Sequence, residues 1–482
     1  MSIESLRSAC VAAVDRGARL AALAVVPAGR QESGREEMMV VLADDAASRV
    51  GLLRVAIPPS RRYPALTTDL PQAHALERAV LEDHGIVPEG HPWPKPLRLH
   101  SMPGTRGVSE VPAPYPFLRV EGSAVHEVAV GPVHAGIIEP GHFRFQCHGE
   151  KVLHLEIQLG YQHRGAEALF LRSRPALRTV LAESLAGDTA VGHAMAHAAA
   201  MEGLAGTEPP LGAHAVRGIA LELERVANHV GDLGALCGDV GFLPGAAWLG
   251  RLRGDFLNAL LEISGNRFGR GLVLPGGVRF GIDGPMRERL LARLDDLERD
   301  FLEVSTIVLE TSSVVSRFEQ TGILSAEAAR DLGVVGPAAR ASGLDRDVRR
   351  DHPAGIYRFA HVPVAVLEAG DVMARAVLRR TEAQRSIQFV RESLQRQSKG
   401  PLRVESGPLA RDSCAVSLVE GWRGEIAHLA VTDAEGDLRR YQFVDPSVHN
   451  WYALAMVMRE RQISDFPLCN KSFDLSYAGH DL

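Results

Sequence analysis

Apolar residues in the middle of the chain recur every three or four positions. Ile219, Leu223, Val226, Val230 and Leu233 form one series, and Leu290, Leu294, Leu297, Phe301, Val304 and Val308 form another. Such spacing puts one apolar stripe on each helix, turned toward a bundle core. A further helix is predicted over 371–396, and a last one over 448–461 ahead of the tail. From Val120 the period becomes two. His142 to Cys147 alternates, His148 to Lys151 makes a turn, and Val152 to Ile157 returns, which predicts a β-hairpin. Strand pairs are also predicted over 413–421 and 425–444, with a turn at 434–436.

Nearer the start, 38–45 reads as a strand and 75–86 as a helix closed by Gly85. The prolines of 88–104 forbid a regular helix and predict a linker or extended arm. The stretch 268–284 holds six glycines and Pro275, so it breaks the helices into tight turns. It is no phosphate loop, because no Gly-Lys-Ser/Thr follows. The predicted fold class is α+β. A small N-terminal α/β unit occupies 1–104, and a mainly helical bundle with antiparallel hairpins occupies 115–482. The stripe on the N-terminal helix and the apolar tail are expected to be partner surfaces.

At 482 residues the chain has room for several cores at roughly 150 residues per domain. The formal net charge of −6 supplies no basic excess to neutralise phosphates, which argues against nucleic acid as a partner. No run of about 18 apolar residues suggests a transmembrane helix. The cysteines Cys10, Cys147, Cys237, Cys414 and Cys469 are scattered without a CxxC pair. That fits a reducing, cytoplasmic setting and gives no recognisable four-thiolate cluster motif.

The segment LAGDTAVGHAMAH, 185–197, places His193 and His197 one helical turn apart on one face. Two such histidines can share a metal or simply pack in a core. The glutamate of a zinc-hydrolase HExxH is missing. The loop 131–145 carries His134, Glu139 and His142 and reads equally as a site or as a sheet-edge turn. His163, Arg164 and Glu167 can tune a proton-transfer group or form a structural ion network. Asp239, at the end of an apolar helix, needs a partner if buried.

Taken together, GPVHAGIIEPGHFRFQCHGEKVLHLEIQLGYQHRGAEAL, LELERVANHVGDLGALCGDVGF, GNRFGRGLVLPGGV and 316–353 are similar to the large subunits of membrane-bound, energy-converting nickel–iron hydrogenases of the formate hydrogenlyase type. They are also similar to the D subunit of respiratory complex I, an NADH-quinone oxidoreductase. ERAVLEDHGIVPEGHP resembles the complex I C subunit, so the chain looks like a fused C–D arrangement. In catalytic members a CGxC pair and a DPCxxC supply the thiolates of the nickel–iron centre. The matching positions here hold Ala186-Gly187-Asp188-Thr189, followed by His193, and a tail segment with Cys469 alone. The resemblance therefore implies a scaffold without a conventional nickel–iron centre. It also implies a histidine–tyrosine pair for a quinone head. His134 matches the histidine, Ile138 replaces a second one, and no tyrosine lies between Gln162 and Ile356. Asp239 matches an acidic residue linked with the quinone site.

These likenesses imply a subunit of a membrane-attached oxidoreductase complex, peripheral on the cytoplasmic face. A small iron–sulfur subunit would sit beside it and antiporter-like membrane subunits beneath. His134, His163, Arg164, Asp188, His193 and Asp239 would provide proton-transfer or acceptor-binding groups in a cavity between the hairpin, the helix near 185–197 and the tail. No cofactor is expected in the chain itself; the acceptor is open, with quinone as one candidate. The alternatives are a non-catalytic scaffold, a hydrogenase with an altered metal site, and a zinc hydrolase.

Overall fold

The computed structural model describes residues 3–27, 36–98, 115–136, 138–396 and 400–482. The expected boundary at 104–115 falls almost wholly within 99–114, outside the described residues, as does the last part of the proline-rich stretch.

The α+β reading holds at the level of a mixed fold in which helices are joined by several small, mostly antiparallel sheets. The first sheet pairs Arg19–Val26, Glu37–Asp44 and Arg49–Ala56 in sequence order. Its first strand is buried along its whole length, because the final sheet covers it. Leu418, Ala427, Leu429, Val431 and Val444 join the core of the first sheet. Arg19, buried, donates to Glu425 at 2.5 Å across this junction, and the Gln442 amide donates to the Leu23 carbonyl at 2.8 Å. The N-terminal helix Ile3–Asp15 buries Ile3, Leu6 and Cys10 against the same core. Its stripe faces its own chain, contrary to the expectation of a partner surface.

Helix His74–His84 ends as its sequence predicts, on Gly85 in the left-handed region. The expected hairpin forms between His142–His148 and Lys151–Gln158, with Val125–Val130 as a third strand. In the glycine-rich stretch Val273–Leu274 and Gly277–Val278 pair as a minimal hairpin, and Gly277 also bridges to Arg403.

The bundle centres on Leu211–Asp239, packed by Leu243–Ser264, Gly284–Glu310 and Val372–Gln395. Both expected stripes are inside it, Val304 only partly. The first stripe understates what is buried. Glu222, Glu224, Arg225, His229 and Asp232, on the polar positions of that helix, are also buried. Asp371 caps Val372–Gln395 by accepting from the Ala374 amide at 2.7 Å. The last long helix, Pro446–Val457, starts two residues earlier and ends four earlier than its apolar run predicts, with Asp445 as its cap.

The sheet Cys414–Gly421, Gly424–Thr432 and Leu438–Val444 lies against helix Ala190–Ala205. The tail 477–482 is buried within the chain, which corrects its reading as a partner surface. Among the described residues no helix is long and apolar enough to cross a membrane.

Candidate functional site

The three segments expected to enclose a cavity do meet, but the tail occupies the junction. Glu139, in the loop before the hairpin, accepts from the amides of Tyr477 and Ala478 at 3.1 and 3.2 Å. Burial pushes its carboxyl above the ordinary range. The Asp481 carboxylate, fully buried, accepts from the amides of Gly160 and Gln162 at 2.8 and 2.9 Å and sits 2.9 Å from His480 Nδ1. The Leu482 carbonyl accepts from Arg98 at 2.6 Å. Gly141 makes the tail's approach feasible, since a Cβ there would fall 2.5 Å from the Tyr477 ring.

This arrangement gives a direct prediction. Asp481→Ala leaves two partly buried amides and the imidazole of buried His480 without their acceptor. At roughly 1–3 kcal/mol for each orphaned buried donor, the variant is expected to lose about 3 kcal/mol, read as a lower urea midpoint. An unchanged midpoint would show that the tail is not held by this carboxylate.

The expected site residues separate into three places. His134 folds back on its own loop and donates to the Gly141 carbonyl at 2.9 Å. His163 donates to the Asp481 carbonyl at 3.0 Å, and Arg164 donates to the carbonyls of Ser184 and Leu185 at 2.9 and 2.8 Å. Their described bonds thus hold backbone at the edge of the junction.

Asp188 and Asp239 belong to one charge cluster. Asp188 receives Arg423 through both oxygens, at 2.6 and 2.9 Å, the two-pronged geometry a planar guanidinium favours. The guanidinium also lies 3.8 Å from the Trp422 ring centre. From there the chain of opposite charges runs Arg423–Asp474 at 3.8 Å, Asp474–Lys471 at 2.7 Å, Lys471–Asp232 at 3.9 Å and Asp232–Arg379 at 2.8 Å. Asp239 sits at the exposed end of its helix. Partial burial raises its carboxyl and the Lys471 charge opposes that rise. Asp474 is held well below the carboxylate range by Lys471 and Arg423, against the opposing effect of burial.

His193 lies deeper, fully buried, between Asp445 and His428 at 3.1 Å each. His197 reaches Tyr441 at 3.2 Å. The two histidines do share a helix face, but that face meets the last sheet.

The positions matched to metal ligands are occupied by other chemistry. Ala186 is a buried methyl. The Thr189 hydroxyl accepts from the Trp422 indole at 3.1 Å and from Arg423 at 3.2 Å. Cys469 packs with Phe143, Phe145 and Phe466. Its sulfur would lie 2.6 Å from a Cβ on Gly322, and burial pushes the thiol up to about 11. Among the described residues no group of three or more His, Cys, Asp or Glu is placed to hold a metal ion. Hard carboxylates and neutral hydroxyls do not supply the soft thiolate set of a nickel–iron centre, so the residues present do not fit that group.

Sequence reasoning missed Arg423, Trp422, Lys471, Asp474, His428, Tyr441 and Asp445. One signal was available, since Trp422 and Arg423 stand between Gly421 and Gly424 at a hairpin turn where small polar residues are usual. The described residues also leave a cavity of about 450 Å³ elsewhere, beside Met195, Ala199 and Glu202.

The sequence profile of the respiratory-chain NADH dehydrogenase 49 kDa subunit matches residues 239–413. Formate hydrogenlyase subunit 5 of Escherichia coli is 30% identical over 94% of this chain and 83% of its own length. The carbon monoxide-induced hydrogenase of Rhodospirillum rubrum is 32% identical over 73% of this chain and 98% of its own. A chain of the membrane-bound sulfane sulfur reductase, an archaeal respiratory membrane complex, superimposes with a TM-score of 0.70 at 23% identity. It covers 74% of this chain and 99% of that one.

Proposed function

We propose a function from one premise: the chain belongs to the family shared by the complex I 49 kDa subunit and the large subunits of energy-converting hydrogenases. It is a subunit of a membrane-attached oxidoreductase complex, placed beside a small iron–sulfur subunit and above antiporter-like membrane subunits. Within this chain no nickel–iron centre forms. Its part is to handle protons and charge next to the partner's cluster, through Asp188, Arg423, Asp474, Lys471 and Asp239. The acceptor is left open; quinone is one candidate, with His134 as the matched histidine but no tyrosine between Gln162 and Ile356 to complete the pair.

One observation carries this reading. At the two positions where catalytic relatives place thiolates, this chain places the Ala186 methyl and the Thr189 hydroxyl, with the Asp188–Arg423 pair beside them. A buried guanidinium between two carboxylates leaves a fixed charge arrangement that responds to a change of charge nearby.

Metal analysis of the intact complex, purified anaerobically through a tag on this chain, tests it. Iron without nickel is expected, with the iron–sulfur spectrum assigned to a co-purifying small subunit. Nickel at one atom per chain would overturn the proposal and revive a hydrogenase with an altered site. A scaffold reading draws on the tail, which is tied by hydrogen bonds to Glu139, Gly160 and Gln162. Asp188→Asn separates the two, because a proton-handling role loses turnover of the assembled complex and a scaffold keeps it.

A further inference from the structure

Five buried side chains form one continuous hydrogen-bonded line through the core. His193 and His197 are one turn apart on helix Ala190–Ala205. Facing them, the last sheet presents His428 from one strand and Tyr441 from its neighbour. Asp445 follows at the cap of helix Pro446–Val457. The links are Asp445–His193 at 3.1 Å, His193–His428 at 3.1 Å, His428–Tyr441 at 3.0 Å and Tyr441–His197 at 3.2 Å. His193, His428, Tyr441 and Asp445 are 0% exposed and His197 is 1% exposed.

Every member of this line can both give and take a proton, which few buried networks allow. An ionised Asp445 only accepts. His193 then carries its proton on Nε2 and, as a neutral ring, accepts at Nδ1. His428 donates from Nε2 and accepts at Nδ1 from the Tyr441 hydroxyl. Tyr441 in turn accepts from His197 Nδ1. One ionised end therefore fixes the tautomer of every ring. The opposite register is equally complete once Asp445 is protonated.

We propose that Asp445, His193, His428, Tyr441 and His197 form a proton relay between the Asp188–Arg423 cluster and the Arg178 side of the fold. In one passage a proton enters at His197 Nε2. The His197 Nδ1 proton moves to the Tyr441 oxygen, the Tyr441 proton to His428 Nδ1, the His428 Nε2 proton to His193 Nδ1, and the His193 Nε2 proton to Asp445. Each bond broken is matched by one formed, and the added proton ends on Asp445 as a neutral acid.

The surroundings give the relay a resting direction. At the far end, burial and then the Arg178 cation press His197 down to about 3, so a proton does not rest there. Asp437 faces Arg178 from the adjoining turn. At the near end His193 and Arg423 hold Asp445 below the ordinary carboxylate range, despite burial. Arg423 also faces Asp188 and Asp474, so the relay ends beside the charge cluster. That it serves a redox reaction rests on the function proposed above; the tautomer coupling does not.

Nitrogen-15 NMR of the full chain, labelled in histidine, tests the coupling without any electron acceptor. The pH is varied over the range in which the chain stays folded. As the Asp445–His193 pair takes up a proton, His428 is expected to change from the Nε2–H to the Nδ1–H tautomer without becoming cationic. His197 changes from Nδ1–H to Nε2–H in the same step. In Tyr441→Phe, checked for folding by its backbone amide spectrum, His197 no longer follows. A wild-type His428 that keeps one tautomer throughout overturns the relay, and this arm needs no variant to fold. So does a His197 response that is identical in Tyr441→Phe.

Discussion

Arg340→Met is expected to destabilise the chain on the order of 3–5 kcal/mol, the usual cost of breaking a buried charge network by removing one partner. Arg340 is fully buried. It donates to Glu382 and to Glu420 at 2.7 Å each, lies 3.5 Å from Asp347, and donates to the Arg346 carbonyl at 3.0 Å. Without it, three carboxylates share a dry region with less opposing charge. Met matches the apolar stem in length, so a cavity contributes little to the loss. Arg340→Lys is expected to lose an intermediate amount, since a point charge cannot bridge Glu382 and Glu420 as a planar fork does. Urea unfolding at unchanged slope gives the number. A loss below about 1 kcal/mol would mean that water or repacking compensates the network, and that Arg340 is not its centre.

That network also marks the limit of what could be read along the chain. Helix 74–84 with its glycine stop, the hairpin 142–158 and helix 372–395 follow from local signals: period, cap and turn residues. The stripe Ile219, Leu223, Val226 showed that a helix was there, but not that its polar side was buried too. Glu222 on that side is paired with Arg349, 127 positions away, and no periodicity carries such information. The site divides in the same way. Asp188 and His193 were legible because they stand at motif positions. Their partners Arg423 and Asp445 lie 235 and 252 positions on, brought close by a sheet that must first fold against the helix. The first and last sheets likewise share a core through Arg19 and Glu425, 406 positions apart. A linear reading that divides the chain near 104–115 has no access to that contact. The tail misled for a related reason: apolar residues at a chain end look like a docking surface until Glu139 and Gly141 of the same chain are seen against them.

Glu222 sets the second large expectation, a loss of stability in acid. Its carboxylate is fully buried among Arg225, Arg349, Tyr357 and Ser386, with contacts at 3.0, 3.0, 2.5 and 2.6 Å. Burial alone would raise its carboxyl, but the two guanidinium groups and the two hydroxyls win and hold it down, from an ordinary 4.5 to about 2. A depressed folded value means that the unfolded chain binds the proton first as pH falls. The stabilisation is therefore complete above pH ~4.5 and is lost progressively down to pH ~2. At about 1.4 kcal/mol per unit, the share due to Glu222 is on the order of 3 kcal/mol. Glu382, also held well below its ordinary value, and Asp347, at about 2, add to the same limb, so wild type is expected to be distinctly acid-sensitive. Glu222→Gln isolates one share of it. The variant should be less stable than wild type by about 3 kcal/mol near neutral pH, and the gap should close as pH approaches 2. Denaturant midpoints measured at several pH values supply both curves. A gap that stays constant with pH would place the effect of Glu222 in packing and hydrogen bonding, leaving the acid sensitivity to Glu382 and Asp347.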